Sequence, residues 1–80
     1  MEVFNMSEIK EGHCAVLTEL NCSKDIKRRF MDLGLIKGTK VKCLLSSPFD
    51  SIKAYSVRGS VIAIRKEDAK EISVRRCGYE

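Results

Sequence analysis

The sequence has no tryptophan, one proline, one histidine and only 6% aromatic residues among its 80 positions. Each shortage excludes something. A single histidine, His13, without a placed acidic or nucleophilic partner rules out the usual serine–histidine–aspartate logic. Aromatics this scarce give no basic-aromatic stripe of the sort that stacks on nucleic-acid bases, so nucleic acid is not expected as a partner. No apolar run approaches the ~20 residues that cross a bilayer. The first residues, Met1-Glu2-Val3-Phe4-Asn5, lack both the basic start and the apolar stretch of a secretion signal, so a cytoplasmic location is expected. No repeat, linker or low-complexity segment interrupts the chain.

Cysteine is present but never as a close pair. Cys14, Cys22, Cys43 and Cys77 form no Cys-x-x-Cys unit, and His13 neighbours only Cys14. Zinc ligands usually come in such pairs, so no metal site and no cofactor are expected. Without a secretion signal the thiols are read as reduced. Cys14 and Cys43 fall in apolar strands and read as small hydrophobes. Cys77, beside Arg75 and Arg76 near the end of the chain, is expected to be exposed and reactive.

Fifteen basic and eleven acidic residues leave a net charge of +4. The balance is mild and common among ordinary domains. Eighty residues make one domain, with its core over 6–74 and a tail over 75–80. A domain of this size buries only about 60% of its unfolded surface, and a small barrel is an economical way to do so.

The local pattern supports a barrel. Residues 6–12 read as a lead-in turn, with Met6 and Ile9 plugging one end of the core. A strand is predicted over 13–20, with Cys14, Val16, Thr18 and Leu20 on one face and Ala15 and Leu17 on the other. Ser23 is a good N-cap for a helix over 24–33. Ile26, Phe30 and Leu33 form its core stripe. Lys24, Lys27 and Arg28 cover the far side with Met31 among them, and Arg29 flanks the stripe. Gly34 stops the helix in a Schellman ending that folds Leu35 back. Ile36-Lys37-Gly38-Thr39 reads as a type II turn.

Further strands are predicted over 40–45, 52–57, 60–65 and 72–74. In the first of these Val41, Cys43 and Leu45 share a face. A loop over 46–51 surrounds Pro48. Arg58-Gly59 turns a hairpin, read as a type I turn with Gly59 in a bulge because arginine suits a type I′ turn poorly. Residues 66–71 form a polar helical turn. The sum is a mainly β chain: a small, partly open SH3-like barrel of about five strands with one short α-helix.

Taken in order, these residues resemble the FeoA family, the small cytosolic component of the bacterial ferrous-iron transport system. The anchors are Ser7-Glu8-Ile9-Lys10 with Gly12, Arg28-Arg29-Phe30-Met31-Asp32-Leu33-Gly34, and Gly38-Thr39. They continue with Pro48, Val57-Arg58-Gly59, and Ala63-Ile64-Arg65-Lys66-Glu67 with Ala69. The resemblance implies an SH3-like fold, an iron-transport role without catalysis, and a partner: the cytosolic GTP-binding part of a FeoB-type membrane transporter. The chain would then meet the membrane only through that partner. Similar barrels form the C-terminal domains of DtxR-like repressors, so a metal-sensing domain and a nucleic-acid-binding module stand as alternatives. The chain departs from the family pattern at Glu11 and Lys37, where proline is common, and at Asp50-Ser51-Ile52, which replace a frequent Gly-Asp-Pro.

No catalytic residue emerges. The expected partner-binding residues are Arg28, Arg29, Met31, Asp32 and Leu35, where the family pattern is densest and charge adjoins an apolar side chain. Gly34, Gly38 and Gly59 are read as turn devices. Other readings stay open: a solvated basic helix face, Met31 and Leu35 as an end of the core, a local Arg28–Asp32 pair, and Phe49 as either folded-back core or exposed anchor. Glu67 and Asp68 are adjacent and do not converge as a hard-cation site.

Overall fold

A computed structural model describes residues 3–46 and 51–77. The elements run β1 (Val3–Asn5), a 3-10 turn (Met6–Glu8), β2 (Cys14–Leu20), α1 (Lys24–Asp32), β3 (Lys40–Ser46), β4 (Ile52–Val57), β5 (Ser60–Arg65), α2 (Lys66–Ala69) and β6 (Ile72–Arg76). All strand pairs are antiparallel, in the order β1-β6-β2-β3-β4-β5. This is the expected small SH3-like barrel, with one strand more than predicted. The addition is β1, whose three residues pair with β6 as Val3↔Arg75, Phe4↔Val74 and Asn5↔Ser73. Three residues are too few to carry a period-two signal, and their partner β6 lies at the other end of the sequence. For the same reason β6 runs on to Arg76, past the predicted limit at 74.

Alternation along the strands builds the core. Ala15 and Leu17 of β2, Val41 and Cys43 of β3, Tyr55 and Val57 of β4, and Ile72 and Val74 of β6 all point inward and are buried. Met6 and Ile9 plug the end of this core, as the sequence suggests. Two bulges change the outcome of simple alternation. The register of β2 against β6 shifts between Leu17 and Glu19, so Leu20 joins Ala15 and Leu17 inside instead of facing away from them. The register of β3 against β4 shifts between Cys43 and Leu45, which turns Leu45 out to 63% exposure. Each extra residue flips every later side chain to the other face.

The hairpin also departs from expectation. Val57 pairs directly with Ser60, and Arg58 (φ 52) and Gly59 (φ 86) are both left-handed. That is a two-residue type I′ turn, whose twist matches the strands it joins. Arg58 accepts the left-handed strain, and its stem lies across Gly34: a methyl placed on Gly34 would come within 3.2 Å of Arg58 Cδ.

Two polar side chains of β4 tie the 3-10 turn to the sheet. Lys53 is buried, and its Nζ donates to the carbonyls of Ser7 (2.6 Å) and Ile9 (3.0 Å). Tyr55 donates its hydroxyl to the Met6 carbonyl at 3.2 Å. The loop residues 47–50, Pro48 and Phe49 among them, lie outside the described residues.

Candidate functional site

The helix end is positioned by local chemistry. Ser23 is the N-cap in extended backbone, with its carbonyl accepting from Lys27 N at 2.8 Å, although its hydroxyl makes no capping bond. Asp25 in the first turn suits the positive end of the helix dipole. Along the helix Phe30 is buried and Ile26 packs half-buried against the core. The helix then closes as predicted. Gly34 N donates to Met31 O (3.0 Å) and Leu35 N to Phe30 O (2.9 Å), with Gly34 at φ 101. These are the paired bonds of a Schellman ending. Thr39 N donates to Ile36 O at 3.0 Å and Gly38 has φ 92, which makes the predicted type II turn. That turn is stitched to β2 by Gly38 N→Leu17 O (2.7 Å) and Leu17 N→Thr39 O (2.8 Å). Thr39 Oγ1 donates to Gly34 O at 3.2 Å, which joins the two glycine turns.

This geometry exchanges two leucines. Leu33, predicted in the core stripe, is 45% exposed, and Leu35, predicted at the partner surface, is 0% exposed. The cause lies in the ending. Leu33 is the C-cap, already leaving the helix at ψ −3. The left-handed Gly34 then reverses the chain and sends Leu35 into the core. Leu35 therefore positions the surface and cannot touch a partner.

Around the closed helix end, Met31 is 47%, Leu33 45% and Ile36 40% exposed. Arg28, Arg29 and Asp32 are exposed as well. Lys24, Asp25, Lys27, Arg28, Met31 and Asp32 line a shallow groove of about 390 Å³ on the outer side of α1. Among the described residues no ion pair joins Arg28 to Asp32. Sequence reasoning missed Leu33 and Ile36. The Schellman signal could have found Leu33, because the motif places the residue after the glycine, not the one before it, against the third-last helical residue.

The thiols sort differently from expectation. Cys77 is 8% exposed, while Cys14 and Cys22 are half-buried. Burial pushes the Cys43 thiol up, with the Lys53 charge acting the other way. Burial also raises the Tyr55 hydroxyl, with the neighbouring Cys43 adding to the rise. Among the described residues no three His, Cys, Asp or Glu side chains converge as metal ligands. His13 is exposed beside the half-buried Cys14.

The FeoA domain family matches residues 4–76. The chain belongs to the FeoA family. A Campylobacter jejuni protein named as a candidate Fe(2+) transport protein A is 30% identical over 69 residues, spanning 86% of this chain and 93% of the relative. The solution structure of the FeoA protein from Chlorobium tepidum superimposes with a TM-score of 0.88 at 32% identity, over 96% of this chain and 74% of that one. A manganese-dependent transcriptional repressor shares the fold, with a TM-score of 0.85 at 12% identity, over 94% of this chain but 42% of the repressor. In this FeoA domain, then, the helix end and the turn that follows present Met31, Leu33 and Ile36 beside Arg28, Arg29 and Asp32.

Proposed function

We propose that this FeoA domain is a non-enzymatic adaptor of ferrous-iron uptake that binds the cytosolic GTP-binding part of a FeoB-type transporter. The contact surface is the end of α1: Arg28, Arg29, Met31 and Asp32, widened by Leu33 and Ile36. One observation carries the reading. Three apolar side chains stand exposed around a helix end held by two glycine turns, with charges beside them. Interfaces favour methionine and arginine in this arrangement. A surface already fixed by backbone hydrogen bonds loses little conformational entropy on binding. The family name and the relative named for Fe(2+) transport support the system. The domain would reach the inner face of the membrane through its partner.

The test is direct binding of the purified domain to the purified cytosolic GTP-binding domain of the transporter from the same organism. Saturable binding is expected, weakened by Met31→Asp. No binding in any nucleotide state would overturn the proposal.

A further inference from the structure

The outer face of the barrel holds a second concave surface, separate from the helix groove, with a volume of about 730 Å³. Alternation on β3 buries Val41 and Cys43, so Lys40 and Lys42 stand outward into this groove. Ser56 of β4 lies opposite Lys42 in the register, and Arg58 follows it at the hairpin. Lys37 and Ile36 enter from the type II turn. The lining thus gathers four cations, Lys37, Lys40, Lys42 and Arg58, and no carboxylate. None of the four makes a side-chain ion pair or hydrogen bond with another described residue. Like charges gathered this way repel, and an anionic ligand would relieve that repulsion.

The chemistry of the lining narrows the ligand. Phosphate sites are typically cradled by successive free backbone N–H groups. Here the N–H groups of Gly12, Gly38 and Thr39 already donate to Cys43, Leu17 and Ile36 carbonyls. No aromatic ring lines the groove to stack a base. The cations sit on long stems spread across a strand, a hairpin and a turn, which suits a row of carboxylates more than a single compact anion. Ile36, 40% exposed, offers an apolar contact at the rim.

We infer that this groove binds an extended acidic segment of a partner protein, a run of aspartate and glutamate with an apolar residue against Ile36. The groove borders the helix end, because Arg58 lies across Gly34. A partner seated on the helix can therefore engage both surfaces. The inference stands apart from the proposed transporter, since the groove can be tested with a peptide.

The experiment uses the full chain and a short fluorescent peptide of aspartate and glutamate around one leucine, read by anisotropy. Saturable binding is expected at low salt, weakening as salt rises. Lys40→Glu with Lys42→Glu should reduce affinity at least about tenfold, as charge reversal in a complementary contact does. Lys10→Glu with Lys70→Glu, exposed cations outside this lining, should change it less than about twofold. If the reversed pair unfolds the chain, Lys40→Gln with Lys42→Gln serves in its place, with the same direction expected. Absent binding, or equal losses in the two double variants, would overturn the inference. So would displacement of the peptide by an equal concentration of inorganic phosphate or GTP, which would make the groove a phosphate site. Tighter binding of a DNA duplex through the same two lysines would make it a nucleic-acid surface instead.

Discussion

A lysine ammonium sits inside the wall of this barrel. Lys53 is 7% exposed and holds the Ser7 and Ile9 carbonyls, so it binds the lead-in turn to β4. Lys53→Met keeps most of the side chain's bulk but leaves both carbonyls without their donor, and should cost about 1–3 kcal/mol in denaturant unfolding. Phe30→Ala removes the buried anchor of α1 and should cost ~3–5 kcal/mol by the same measurement. A loss under about 1 kcal/mol would remove Phe30 from the core. Phe30 was legible because it sits in a helical stripe with Ile26. Lys53 was not, because its partners are backbone carbonyls 44 and 46 positions away, which no pattern of side chains announces. Cys77 illustrates the same limit. Its charged neighbours suggest exposure, but it is buried at 8% just past the end of β6, a strand that lies between β1 and β2. Under native alkylation Cys43 and Cys77 should therefore react more slowly than Cys14. Faster reaction at Cys77 would show that the end of β6 opens readily.

At the level of elements, the passage from α1 to β3 is the best-specified part of the molecule. Gly34 and Gly38 both take backbone angles that penalise a Cβ. Gly38→Ala meets no atom within 4 Å, so its cost isolates the backbone term. That cost should be about 1–2 kcal/mol, and an unchanged melting temperature would reject the type II turn. Gly34→Ala should cost at least as much, since the new methyl also crowds the Arg58 stem. Both turns were readable in the sequence because glycine at these positions has a local cause. The bulges in β2 and β3 were not readable, because each is set by the register against one partner strand, β6 or β4, and alternation within a single strand carries no sign of it. The exchange of Leu33 and Leu35 has a local cause in the helix ending, which the helical period masks. The helical period continues formally to Leu33, but the chain leaves the helix there.

For the molecule as a whole, the buried thiol of Cys43 and the buried hydroxyl of Tyr55 set an alkaline limit. Both keep their protons to higher pH in the folded chain than in the unfolded one. Their contribution is fully present at neutral pH and is lost once the unfolded chain begins to ionise, so melting temperatures should fall above about pH 9. Flat melting temperatures through that range would show that these groups are not held neutral by burial. The barrel as an architecture was legible from alternation, turns and length together, while the closing pair of β1 and β6 depends on the two ends meeting. The candidate surface was legible in part: Arg28, Arg29, Met31 and Asp32 are exposed where expected, and its apolar share is completed by Leu33 and Ile36. The central claim is that this exposed helix end is the working surface. Met31→Asp tests it most directly, because Met31 is 47% exposed and outside the core. The variant should keep the circular dichroism and melting temperature of the parent domain while ferrous-iron uptake fails in cells that depend on the system. A folded variant that supports normal uptake would contradict the account.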